Sequence, residues 1–148
     1  MQEDLLSTLP EYKLYKGSAI YIGTFIGGPL VAGYMASENF KKIGQKNQAK
    51  KAWIIAIIAT LAILGAAFYA SGLEKVPNYV IPLLYTGIAQ FLIQRFQGNA
   101  IKTHVEKGGQ LYSAWRGVGV GLIGCVVLLT VIYLTVLLTD KSLLQGGA

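Results

Sequence analysis

Four apolar blocks constrain this chain more than any other feature: Ser18 to Ser37, Ala52 to Ser71, Tyr79 to Gln97 and Gly117 to Thr139, separated by short polar stretches. Each is close to the roughly 20 residues a helix needs to cross the hydrocarbon of a bilayer. A buried helix of a soluble bundle keeps a polar face at helical spacing, and Ile54 to Leu64 shows none. Only 14% of the 148 residues are charged, against 53% hydrophobic, whereas soluble domains are nearer one quarter charged. The expected fold is therefore an all-α integral membrane protein with four transmembrane helices in a single domain over residues 1–148. The third block is the most polar, with Pro82 near its start, where a first helical turn tolerates it, and Gln90, Gln94 and Arg95 near its end.

The start, Gln2-Glu3-Asp4, is acidic where a secretory signal is basic, so the first block is expected to remain in the mature protein. Leu5, Leu6, Leu9, Tyr12 and Tyr15 give the tail before it an apolar surface suited to lying on a membrane, with Pro10 limiting any helix there. Orientation follows from the basic residues, which favour the cytoplasmic side. Lys41, Lys42, Lys46, Lys50 and Lys51 lie in residues 38–51, and Arg95, Lys102, Lys107 and Arg116 in residues 95–116, nine of the thirteen Lys and Arg. Four spans place these two loops on the cytoplasmic side and both termini outside, in a plasma or bacterial inner membrane. The net charge of +6 then reflects a basic face beside anionic lipid and requires no nucleic acid. Lys41, Lys42, Lys50 and Lys51 are the candidate contacts to anionic headgroups.

Helices in lipid associate where small residues let backbones approach. Ala19, Gly23 and Gly27 recur four apart in the first block, and Gly117, Gly121 and Cys125 do so in the fourth. Ala52, Ala56, Ala59, Ala66 and Ala70 form a similar face in the second. These seams suit contacts within one protomer or between copies, and the expected partners are membrane lipid and either further copies of the chain or another membrane protein. Gly27-Gly28-Pro29 predicts an irregular first helix, because Pro29 lacks an amide donor and crowds the preceding turn. A weak internal echo also runs through the chain. Pro29-Leu30, Asn39-Phe40 and Ala52-Trp53 are followed by Pro82-Leu83, Arg95-Phe96 and Ala114-Trp115, the pattern of two parallel helical hairpins.

Chemistry is sparse. A lone Cys125 and a lone His104 leave no intrachain disulfide and little from which to build a metal site, and no cofactor motif is present. No Asp, Glu, Lys or Arg lies in the middle of a block, which disfavours coupled transport through an intramembrane carboxylate. Thr86, Gln90, Gln94 and Gln97 recur at intervals of four, four and three, a polar stripe that must avoid lipid, with Arg95 beside it. Three readings follow. The first is an oligomeric channel or facilitator using that stripe; the second is a structural, regulatory or accessory subunit binding protein or lipid through its basic loops. The third, carried by less, is a membrane-surface lipid enzyme using Glu38, His104 or Glu106; the expected answer is that the chain is not an enzyme.

Overall fold

A computed structural model describes residues 9–69 and 77–140 of the chain. Their order is strand β1 (Leu14–Tyr15), helices α1 (Gly17–Gly27), α2 (Pro29–Lys42), α3 (Lys46–Tyr69) and α4 (Val80–Glu106), strand β2 (Leu111–Tyr112) and helix α5 (Ala114–Thr139). The architecture is helical, and two helices are long and apolar enough to cross a membrane, over Lys46–Ala67 and Ala114–Thr139. Leu5, Leu6, Ala70, Ser71, Lys75 and Lys141, which carry parts of the expected tail, second block and loops, lie outside the described residues.

The first apolar block is not one helix. Gly28 takes φ 79° and ψ −173°, a backbone region open essentially to glycine alone, and its N–H closes α1 by donating to the Thr24 carbonyl. Pro29 then occupies the first turn of α2, where its missing N–H has no intrahelical acceptor to lose. The interruption is a reversal rather than a kink. A β-carbon added to Gly23 would collide with the Met35 methyl group, and the backbone of Tyr15 is hydrogen-bonded to the side chain of Asn39. In a straight helix residues 23 and 35 would be about 18 Å apart. The irregular helix expected over residues 18–37 is therefore an antiparallel helical hairpin, with its tip at Gly28 and its base at residues 14–17 and 39–44.

The hairpin is the core of the molecule. Tyr15, Ala19, Ile20, Val31, Met35 and Ala36, all on β1, α1 or α2, form the main buried cluster with Ile93 of α4. Against its α1 side lies α5, in the same direction, started in register by a parallel pairing of Leu14 with Leu111 and Tyr15 with Tyr112. The seam between α1 and α5 has almost no side chain in it. A β-carbon on Gly121 would stand 2.9 Å from the Gly23 carbonyl oxygen, one on Gly23 the same distance from the Gly117 carbonyl, and one on Gly117 would strike the Ala19 carbonyl. The two small-residue series of the sequence are thus the two halves of one seam, with Gly124, against Gly27 and Val31, making the third contact. On the other side α3 packs on α2, where Gly33 sits on Ala52 and Ala56.

Helix α4 crosses the hairpin from tip to base. Tyr85 donates to the Phe25 carbonyl near the tip (3.3 Å), and Gln97 donates to the Ala36 carbonyl near the base (2.8 Å). It continues to a glycine-terminated end, with Gly108 at φ 78° and the Gly109 N–H returning to the His104 carbonyl. The two halves of the chain are consequently not matching hairpins. The first half reverses direction just before Pro29, whereas α4 runs unbroken through Pro82.

Candidate functional site

Two groups of polar residues are built around the hairpin, one along its seam with α4 and one at its base. The seam follows from helical geometry. Taking Thr86 as reference, Gln90, Ile93 and Gln97 fall within about 40° of it at 100° per residue, whereas Gln94 falls about 80° away. Thr86, Ile93 and Gln97 are accordingly buried, with Gln90 partly so. Gln94 and Arg95 are exposed, so the expected stripe loses Gln94 to Ile93, and Arg95 lies off it.

At the lower end of the seam every amide is used. The Asn39 side chain accepts from the Tyr15 N–H (2.7 Å) and donates to the Tyr15 carbonyl (2.9 Å) and to Gln97 Oε1 (3.1 Å), while Gln97 Nε2 donates to the Ala36 carbonyl. Asn39 thus acts as a surrogate strand that ties β1 to α2, and Gln97 couples both to α4. Higher up, the hydroxyl of Thr86 and Oε1 of Gln90 are buried without a hydrogen-bond partner, as is the hydroxyl of Ser37 in α2. Thr24 differs, donating to the Ile20 carbonyl of its own helix. An unpartnered buried polar atom costs about 1–3 kcal/mol, so the upper seam is polar beyond what its own packing satisfies.

At the base, cations meet aromatic rings. Lys42 Nζ donates to the Lys13 carbonyl (2.8 Å) and to the Tyr112 hydroxyl (2.9 Å). Arg116 Nε donates to the Tyr15 hydroxyl (3.3 Å), and its guanidinium carbon lies 4.2 Å from the centre of the Tyr112 ring. The rings of Tyr15 and Tyr112 are 4.7 Å apart, and Tyr34 touches Tyr15 on one side and Trp53 on the other. The Lys42 hydrogen bond holds the Tyr112 hydroxyl below the usual tyrosine range despite partial burial, helped by the charges of Lys42, Arg116 and Lys13. The sequence does not reveal this cluster, because Lys42 and Tyr112 are 70 residues apart and Tyr15 and Arg116 are 101 apart, and the pairing of β1 with β2 brings the two halves together.

The remaining candidates are scattered. Lys41 is paired with Glu38 (2.8 Å), and Lys50 and Lys51 are exposed on the first turns of α3. His104 is buried, stacks on Tyr12 and bonds the Gln110 carbonyl through Nε2 (3.0 Å). Gly109 packs so closely over its ring that a β-carbon there would overlap it. Neither Glu38, held by Lys41, nor Glu106, 4.0 Å from Lys102, is hydrogen-bonded to His104, and among the described residues no group of His, Cys, Asp and Glu is arranged to hold a metal ion. Comparison with protein-family models, curated proteins and solved structures gives no match.

Proposed function

We propose that the chain is a small membrane channel or facilitator that works as an oligomer, with a re-entrant hairpin and three spans in place of four spans. The 11 residues of α1 rise about 16 Å, roughly half the 30 Å of a hydrocarbon core, so the hairpin enters the membrane and returns from near its middle. Helices α3, α4 and α5 cross it, and α4 carries its polar face inward against the hairpin. The hairpin base, the start of α3, the end of α4 and the start of α5 then share one side. All thirteen Lys and Arg except Lys75 and Lys141 lie in or beside those segments. That division favours a cytoplasmic base and N-terminus and an external C-terminus.

The observation that carries conduction is the pair of unpartnered buried atoms, Thr86 Oγ1 and Gln90 Oε1, on the α4 face that packs on a broken helix. Non-helical backbone and unpaired amides at membrane depth persist where protein or a water-filled path satisfies them. One chain offers little interior, and α3 and α5 leave most of their apolar side chains exposed, the surface that lipid or further copies would cover. The absence of an ionisable group along the seam points to passive movement of small neutral solutes. Purified protein in lipid vesicles tests this by solute flux. Gln90→Leu should leave assembly intact and lower the flux, whereas Gln94→Leu, on the exposed side, should change neither. Wild-type vesicles without flux, or Gln90→Leu protein that fails to assemble, would overturn conduction and leave the seam as helix glue.

The accessory-subunit reading retains one specific support, the cation and tyrosine cluster at the base, which faces the loops rather than the seam. A second chain that co-purifies stoichiometrically in mild detergent would favour it.

A further inference from the structure

Lys42 and Arg116 come together on Tyr112 from distant parts of the sequence, and the way their donors are used sets them apart from the other basic residues. Among the described residues the ion pairs are Lys41 with Glu38 and Lys102 with Glu106, so neither Lys42 nor Arg116 has a carboxylate partner. Lys42 spends two of its three N–H groups, on the Lys13 carbonyl and the Tyr112 hydroxyl. Arg116 spends only Nε, on the Tyr15 hydroxyl, which leaves its outer N–H groups available. The Tyr112 hydroxyl accepts from Lys42 and keeps its own hydrogen to donate. Lys42 Nζ and the guanidinium carbon of Arg116 lie 4.6 Å and 4.2 Å from the centre of the same Tyr112 ring, contacts that offset the repulsion between two like charges without neutralising either. An anion with several acceptor oxygens completes the arrangement, and the planar donors of arginine suit phosphate in particular.

We propose that Lys42, Arg116 and the hydroxyl of Tyr112 form a phosphate-binding site whose occupant is the headgroup of an anionic membrane lipid. The position selects the lipid source. Trp115, 81% exposed, precedes Arg116, and Trp53 packs beside the cluster through Tyr34, and tryptophans of this kind mark the level of lipid headgroups. The site rests on the membrane placement above and not on conduction.

The experiment uses full-length protein purified in mild detergent, incubated with mixed micelles of phosphatidylcholine and phosphatidylglycerol, and the lipid retained after washing is quantified. Wild-type protein should retain phosphatidylglycerol preferentially. Lys42→Gln with Arg116→Gln should reduce that preference by about tenfold or more, the loss expected when two charge-assisted contacts are removed. Lys50→Gln with Lys51→Gln removes the same charge from exposed positions and should cost far less. Equal losses in the two double variants would overturn the site in favour of a diffuse basic surface. Tyr112→Phe, which keeps both cations, guards against misfolding: it should fold and bind phosphatidylglycerol more weakly, and unchanged binding would remove Tyr112 from the site. Inorganic phosphate is the competing arm. Displacement of bound lipid by millimolar phosphate would overturn the lipid source, and retention of lipid supports it. A failure of solute flux with lipid selectivity preserved would strike the conduction reading alone.

Discussion

Single residues set the closest approaches in this molecule. The spacing of Ala19, Gly23 and Gly27, and of Gly117 and Gly121, is legible in the sequence as two smooth helix faces. That these faces meet each other is not, because a spacing defines a face and not its partner. The structure adds a parallel strand pairing that starts α1 and α5 in register, and it replaces Cys125 by Gly124 at the third contact. Gly117→Ala should therefore force α1 and α5 apart, at a cost of about 1–3 kcal/mol, seen as a lower thermal midpoint in detergent. Gly119, two residues along the same helix with open space around it, is the matched control, and Gly119→Ala should be neutral or slightly stabilising. In the sequence Asn39 stands just past the first apolar block, as part of the Asn39-Phe40 step of the internal echo. Its role as a stand-in strand depends on a reversal that residue order does not display. Asn39→Ala should leave the Tyr15 N–H and carbonyl unpartnered and lower stability by about 2 kcal/mol or more, with circular dichroism reporting the melt.

At the scale of elements, the irregularity at Gly27-Gly28-Pro29 was readable from glycine and proline chemistry, but its size was not. A kink and a full reversal begin with the same residues; the outcome is decided by Met35 packing against Gly23 and by Asn39 holding β1. Gly28→Ala isolates the backbone contribution, because no atom lies within 4 Å of the added carbon and only the positive φ is strained. It should cost about 1–3 kcal/mol, and an unchanged melting temperature would show that Gly28 does not hold this conformation in the membrane. For α4 the structure buries Thr86 and Gln97 of the sequence stripe, half-buries Gln90 and leaves Gln94 exposed, because intervals of four drift around a helix of 3.6 residues per turn and Ile93, three residues after Gln90, turns inward instead.

At the scale of the whole molecule, the apolar blocks identify a helical chain suited to a membrane, and block length alone counts four crossings. Length cannot distinguish a block that crosses from one that goes halfway and returns, since both need about 20 apolar residues. The difference moves the N-terminal tail, with Lys13 and Lys16, to the same end as the basic loops, through contacts of Lys13 with Lys42 and of Leu14 with Leu111. The central claim is therefore one of sidedness. Reporters fused before Met1, after Gln48, after Gly108 and after Ala148 measure it directly in intact cells. The re-entrant hairpin predicts a cytoplasmic signal from the first three and an external signal from the last. An external signal from the N-terminal fusion, with both loop fusions cytoplasmic, would mean that the first block crosses the membrane and would contradict the account.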